Sequence, residues 1–466
     1  MNRRTFVSTA VAAAASASAA AARPNILLLL ADNWAYPHAS IAGDPVVRTP
    51  VFDRLAREGV HFTHAIAPNP SCSPSRSLLL TGQDTHRLGE AASLYGPLRT
   101  DIPTYVTLLE KAGYFVGFAG KGWGPGTPPG DGTNPAGKQF ASFDEFLAAK
   151  PKDRPFCFWF GSHDPHVPWT RGENFRARID PAKIRVPAHL PDHPVIRQDI
   201  RDYYAEVEQF DQESGEHIRQ LEQAGLLDRT LVAMTGDNGW QIPRGLGNCY
   251  DLGVRVPLAL RWPARLRAGT RHDGFVTLGD LCPTFLEAAG IAIPGAITAR
   301  SLLNPPRRDA VFLERERHAN VRKGNLSYPV RGIRTSRYLY LRNFEPDRWP
   351  AGDPEFYWSV GPYGDVDNSP SKRLLLESKT EPYFSLCFGK RPAEELYDLK
   401  SDPDQVHNLA ADPRLANVKA DLAKQVQAWM KKTNDPRFGQ PLSDYWDKAP
   451  YSGPKFRGGT APDSKS

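Results

Sequence analysis

Residues 25–33 read Asn-Ile-Leu-Leu-Leu-Leu-Ala-Asp-Asn. The apolar run 26–30 is too short for a core helix, reads as a strand, and breaks onto the acid-amide pair Asp32-Asn33. The same pattern recurs down the chain. Residues 114–119 lead to Lys121, 156–160 to Ser162 and His163, and 231–235 to Asp237 and Asn238. Helical stretches at 51–58, 106–112 and 199–224, the last closed by Gly225, alternate with these runs. From Asn25 to about Trp262 this alternation predicts an α/β layer architecture.

In open α/β sheets the ligand crevice lies beyond the carboxyl ends of the strands. Four strands that each end on polar residues therefore point to one site holding Asp32, Asn33, Lys121, His163, Asp237 and Asn238. The two acid-amide pairs offer hard oxygen ligands, a chemistry that selects calcium or magnesium over zinc. With Lys121 and His163 beside a divalent cation, the site suits phosphate or sulfate esters.

Composition narrows the class further. A chain of 466 residues predicts two or three domains. Ten Trp, 16 Tyr and 22 Phe exclude a disordered or fibrous chain. Lys plus Arg outnumber Asp plus Glu by 58 to 52 with no long basic run, which suits a small anionic substrate and motivates no nucleic-acid partner. The start, Asn2-Arg3-Arg4-Thr5-Phe6-Val7 and then small, weakly apolar residues to Ala22, has the layout of a twin-arginine-like signal peptide. It predicts export through the twin-arginine translocation machinery to the periplasm or medium, with no membrane anchor after processing. Five cysteines are an odd number for an oxidising compartment, and Cys72 is the candidate for a committed one. Cys157 and Cys282 sit in apolar surroundings and read as buried hydrophobes.

Ser71-Cys72-Ser73-Pro74-Ser75-Arg76 runs into Ser77-Leu78-Leu79-Leu80-Thr81-Gly82, with Pro74 suited to a first helical turn and Gly82 to a stop. Cys72 thus falls at a helix N-terminus, where amides and the dipole attract oxyanions and Arg76 adds a cation. On bare chemistry it is either a low-pKa thiolate or a partly buried structural thiol.

These residues resemble the signature of the type I sulfatases of the alkaline phosphatase superfamily. Thr49-Pro50, Gly120-Lys121, His163-Asp164-Pro165-His166, Asp237-Asn238-Gly239 and Arg255-Val256-Pro257 extend the likeness across the catalytic half. Ser327-Tyr328-Pro329-Val330-Arg331, Glu395-Leu396-Tyr397-Asp398 and Asn408-Leu409 resemble the heparan N-sulfatase branch. The resemblance implies an alkaline-phosphatase-like large mixed sheet flanked by helices, with a smaller C-terminal α+β subdomain carrying an antiparallel sheet. It implies that a formylglycine-generating or sulfatase-maturating enzyme converts Cys72 to formylglycine, whose geminal diol attacks sulfur. It further implies calcium, or else magnesium, on Asp32, Asn33, Asp237, Asn238 and residue 72. Arg76 and Lys121 would hold sulfate and diol, and His163 would protonate the leaving group.

Three positions depart from that family pattern. Asn33 stands where a second aspartate is usual, so charge alone expects Asn33→Asp to tighten the cation. Trp123 replaces the histidine two residues after the lysine, and Leu246 replaces a basic residue on the sulfate. His166 and Arg244 are the candidate stand-ins. The readings left open are an active sulfatase, a phosphatase or phosphonate hydrolase on the same fold, and a non-catalytic sulfated-glycan binder.

The expected organisation is a signal peptide over 1–22, a catalytic domain over 23–300, a substrate-shaping subdomain over 301–450 and a disordered tail over 451–466. Within the subdomain, residues 328–342 read as antiparallel strands, 343–391 as long surface loops and 412–431 as a helix. A sulfated sugar is the expected substrate, an N- or O-sulfated glucosamine-type glycan leading. Arg315, Arg317 and His318, with Arg348, Trp349, Tyr357 and Trp358, are its candidate binding residues.

Overall fold

The computed structural model describes residues 23–126, 128, 130, 132–355, 361–439 and 443–450. The expected signal peptide and tail, and Tyr357 and Trp358, lie outside the described residues. Eight strands form the first sheet: β1 (Asn25–Ala31), β2 (Val60–Ile66), β3 (Phe115–Gly120), β4 (Lys138–Gln139), β5 (Phe156–Gly161), β6 (Thr230–Gly236), β7 (Arg255–Arg261) and β8 (Thr270–Thr277). Their order is β4-β3-β5-β1-β6-β7-β2-β8. From β4 to β6 all neighbours are parallel, β7 is antiparallel to β6 and β2, and β8 returns parallel to β2. The sheet is therefore mixed.

The leucine run of β1 has a direct structural reason. Ile26, Leu28 and Leu30 belong to one apolar core, while Leu27, Leu29 and Ala31 belong to another on the opposite face. A central strand covered on both faces has no polar alternation. The helix Cys72–Thr81 contributes Leu78, Leu79 and Leu80 to the first core. The long helix Pro194–Gln223 contributes Ile196, Ile200, Tyr203 and Phe210 to the second.

A second sheet, in the order β12-β11-β10-β9, comprises β9 (Ala310–Arg315), β10 (Val330–Thr335), β11 (Tyr338–Asn343) and β12 (Glu394–Asp398), all antiparallel. The antiparallel strands expected in 328–342 are the β10–β11 pair. Helix Ala416–Lys432 covers one face through Leu422, Val426, Trp429 and Met430. Leu313, Val330 and Leu341 share a core with Ile66, Val254 and Phe275, joining the two sheets.

One expectation is corrected. The stretch 343–391 is not only loop: it contains the helices Pro370–Ser378 and Tyr383–Phe388, whose Leu375, Cys387 and Phe388 are buried in the core of the long helix. Pro370 is the first residue of its helix, capped by the Ser369 side chain, which accepts from the Lys372 N–H. Proline there starts a helix rather than breaking a loop.

Candidate active site

Parallel register sets the carboxyl ends of the central strands side by side. Leu30 lies opposite Gly161, Ala31 opposite Gly236 and Gly120 opposite Gly161. The loops that follow are tied together through the backbone: Asp32 N–H donates to Asp164 O, Lys121 N–H to Gly161 O, and Asp237 N–H to Ala31 O. Gly120 is at φ +71, and a Cβ there would stand 2.1 Å from Gly161 O, so the close approach requires glycine.

The helix Cys72–Thr81 aims its N-terminus at this rim and stops at Gly82, φ 62, whose N–H donates to Leu78 O. Cys72 Sγ lies 3.6 Å from Asp32 Oδ1 and 3.9 Å from Asn33 Oδ1. One ligand atom each from Asp32, Cys72 and Asp237, all buried, lie within 4.8 Å of one another. Arg76, one turn along the helix, is fully buried. Its Nε donates to Asp237 Oδ2 at 2.8 Å and its Nη1 to the carbonyls of Lys121 and Gly122. Its Nη2 stands 3.6 Å from Asp32 Oδ1 and has no hydrogen-bond partner among the described residues. The Lys121 ammonium donates to Asp32 Oδ2.

Charge is unevenly spread across this cluster. Burial acts to raise the Asp32 carboxyl, but the Lys121 and Arg76 cations outweigh it and hold it below the usual carboxylate range. Burial wins at Asp237 and raises it, despite Arg76. Burial also pushes the Cys72 thiol up, with Asp32 and Asp237 adding to it against Lys121 and Arg76. The unmodified side chain thus keeps its proton at neutral pH, and the low-pKa thiolate that a helix N-terminus suggested is corrected to a protonated, weakly nucleophilic thiol.

The residues fit a hard cation. Asp32 and Asp237 supply carboxylates, and Asn33 turns its Oδ1 toward Cys72. The Asn238 amide donates to Asp237 Oδ1, while its own Oδ1 is buried with no hydrogen-bond partner among the described residues. An orphaned acceptor beside two carboxylates is an environment for an oxygen-loving metal ion.

Around this cluster the remaining predicted residues divide. His163 is exposed, within electrostatic reach of Asp32, Lys121 and Arg76. It borders a cleft of about 300 Å³ with Arg171, Glu213 and His217. His166 is linked through its Nε2 to Gln241, which also accepts from Asn33. Trp123 turns into the core, where its Nε1 donates to Ser77 Oγ at 2.8 Å. Leu246 is buried, with its N–H on Trp240 O.

Three arginines are reassigned. Arg244 lies over the Tyr250 ring and donates to the carbonyls of Leu386 and Gln405. Arg315 is ion-paired with Asp365 and donates to Pro350 O, and Arg317 donates to the carbonyls of Asn325, Trp446 and Ala449. Among the described residues no hydrogen bond or ion pair ties them to the Cys72 cluster. They are buried frame cations. His318 does reach the site, its Nδ1 2.8 Å from the hydroxyl of Ser71, immediately before Cys72. Arg348 pairs with Asp447, and Trp349 packs on Tyr363. Gln241, Asp367 and Tyr95, the last close enough to Cys72 to be raised by it after burial, are site residues that sequence reading missed. Gln241 had one available signal, its place in the loop that begins at Asp237.

Comparison with known proteins agrees with this geometry. The sulfatase family model matches residues 24–134 and 135–291, and the model described as N-sulphoglucosamine sulphohydrolase, C-terminal, matches 236–353. The human N-sulphoglucosamine sulphohydrolase is 31% identical, covering 88% of this chain and 91% of its own. An ulvan-active sulfatase of Formosa agariphila is 28% identical over 89% of this chain and 81% of its own. The solved structure of the phosphonate monoester hydrolase of Agrobacterium radiobacter superposes with a TM-score of 0.67, at 19% identity over 88% of this chain and 96% of that one. That last likeness is one of fold alone, the alkaline-phosphatase-like fold. Because the family matches run from residue 24 to 353 and a relative at 31% identity covers 88% of the chain, this protein belongs to the sulfatase family, in its N-sulphoglucosamine sulphohydrolase-like branch, and is a sulfuric ester hydrolase.

Proposed function

We propose that the protein removes sulfate, as an ester or a sulfamate, from sulfated glycans, using a formylglycine made from Cys72 and a calcium ion, with magnesium as the alternative. The observation that carries this reading is the setting of Cys72: a buried position at a helix N-terminus, among oxygen donors, where the bare thiol is held protonated. A formylglycine there supplies the nucleophilic oxygen, and the cation, held by Asp32, Asn33, Asp237 and Asn238, neutralises charge on the sulfate.

The chain's own residues do the rest. Arg76, whose Nη2 has no hydrogen-bond partner among the described residues, directs a donor at the anion. Lys121, anchored on Asp32, adds a second positive charge. His163, on the exposed rim, passes a proton to the departing alcohol or amine. The branch relative's name supports a glucosamine-type sugar as the leading substrate. The twin-arginine-like start supports export to the periplasm or medium, and the motif around Cys72 supports a maturation enzyme as a partner.

Peptide mass spectrometry across Cys72, on protein made in its native host, is expected to find the aldehyde. Matured protein is then offered N-sulfated, O-sulfated and unsulfated oligosaccharides beside an aryl sulfate. Efficient cleavage of the aryl sulfate with every sulfated sugar ignored overturns the glycan assignment.

A further inference from the structure

An asparagine can give a cation only one of its two terminal atoms, so at position 33 the orientation of the amide decides whether it is a ligand at all. Gln241 settles that orientation. The Val167 backbone N–H donates to Gln241 Oε1 at 2.9 Å, and since a backbone N–H can only donate, the atom facing it is the oxygen. Gln241 Nε2 is then left to donate to the Asp367 carboxylate and to His166 Nε2, at 3.2 Å. His166 has its Nδ1 on Val167 O at 2.6 Å, which puts its proton there and makes Nε2 the acceptor that Gln241 needs. The remaining lone pair of Gln241 Oε1 takes Asn33 Nδ2 at 3.0 Å. Asn33 Oδ1 is thereby turned to Cys72. Gln241 is buried, and each of its amide donors and acceptors is used.

We propose that Gln241, braced by Asp367 and Val167, is a positioning residue that fixes Asn33 as an oxygen donor and matches the site to an amide, not a carboxylate, at position 33. This rests on the reading that a cation occupies the site. Charge counting expects Asn33→Asp to tighten the cation. Hydrogen bonding opposes it, because a carboxylate oxygen would then face Gln241 Oε1 across the present 3.0 Å contact, acceptor against acceptor. Turning the Gln241 amide over offers no escape. Its NH₂ would meet the Val167 N–H, and its oxygen would meet the Asp367 carboxylate.

The test is a double-substitution cycle on chelator-stripped protein, read by calorimetry of calcium binding and by melting of the metal-free samples. Asn33→Asp alone should weaken calcium about tenfold, the size of one mismatched buried hydrogen bond. In the Gln241→Ala background the opposing oxygen is gone, and the same substitution should tighten binding about tenfold, reversing sign. Without metal, Asn33→Asp should lower the melting temperature when Gln241 is present and leave it unchanged in the Gln241→Ala background.

A second comparison does not depend on a carboxylate at 33. Gln241→Ala alone should lose calcium affinity about tenfold, whereas Gln241→Glu combined with Asp367→Asn, which exchanges donor and acceptor across that contact and lets His166 Nε2 take a proton to face the new carboxylate, should retain it. Tighter calcium binding by Asn33→Asp in both backgrounds, or no recovery in the exchanged pair, overturns the proposal. If no sample takes up calcium or magnesium, the cation reading fails. The metal-free melts then still decide the pairing, and additive shifts overturn it.

Discussion

Position 72 contributes little packing. Cys72 shares only a small apolar cluster with Leu94, Ala319 and Val321, so Cys72→Ala should abolish sulfate release while moving the melting temperature by no more than about 2–4 °C. Undiminished release from that variant would remove the central claim. His163 gives a prediction in pH. Partial desolvation at the cleft rim, with Asp32 opposing and Lys121 and Arg76 adding, holds it below the ordinary histidine value of 6.5. Its donating, protonated form is lost as pH rises through that lowered value. Turnover of sugar sulfates, whose alcohols leave poorly, should therefore fall before neutrality, while aryl sulfates, whose phenols leave readily, should hold. His163→Ala should cost the sugar substrates about 10²–10⁴-fold and flatten that limb, whereas parallel profiles for both substrate types would exclude the proton-donor role. Asp32, Cys72 and Asp237 were legible because each follows a strand or opens a helix. Gln241 and Asp367 were not, because a side-chain bond between loops 126 residues apart leaves no local pattern. Nor does a basic letter reveal whether it faces an anion or, like Arg317, a set of buried carbonyls.

At the scale of elements, the helix that opens on Cys72 is held by its exit as well as its entry. Gly82 has φ +62, and a Cβ there would come 2.7 Å from Ile297 Cγ2 and 3.3 Å from Cys282 Cβ. Gly82→Ala should therefore destabilise the protein by about 1–3 kcal/mol and lower activity with it, as read by thermal melts and turnover together. The helix Pro50–Glu58 is fastened differently: the buried carboxylate of Asp211, on the long helix, accepts from Val51 N–H and Phe52 N–H. Burial raises Asp211 to about 7, against the help of those two donors. A carboxyl raised on folding contributes stability that is full below its ordinary value of 3.8 and is lost as pH rises through about 7. Asp211→Asn should flatten that part of the stability profile in denaturant titrations at stepped pH, and an unchanged slope would contradict it. The central strands were legible because both faces are buried and the apolar runs are uninterrupted. The helices Pro370–Ser378 and Tyr383–Phe388 were not, since six to nine residues give barely two turns of pattern and their proline and aromatic neighbours look like loop.

Over the whole molecule, a boundary near residue 300 is easier to draw in the sequence than in space. The second sheet shares its inner core with the first through Leu313, Val330 and Leu341. Ala319 and Val321 wall Cys72, His318 meets the hydroxyl before it, and Asp367 braces Gln241. Asp365 organises this second region by pairing with Arg315 and Arg322 and accepting from the Ala319 N–H. The region expected to shape the substrate thus forms part of the surroundings of Cys72. A chain of residues 23–300 should fail to fold cooperatively, because it exposes that inner core and leaves Cys72 without its far wall. It should also lose turnover of a simple aryl sulfate, which needs no sugar contacts. Urea titration followed by circular dichroism, with aryl sulfatase assays on the same matured fragment, makes the comparison with the full chain. A single cooperative transition accompanied by full-chain aryl sulfatase activity would show that residues 23–300 carry a complete site by themselves. Loss of both would place the unit of folding and the unit of catalysis in the two sheets together.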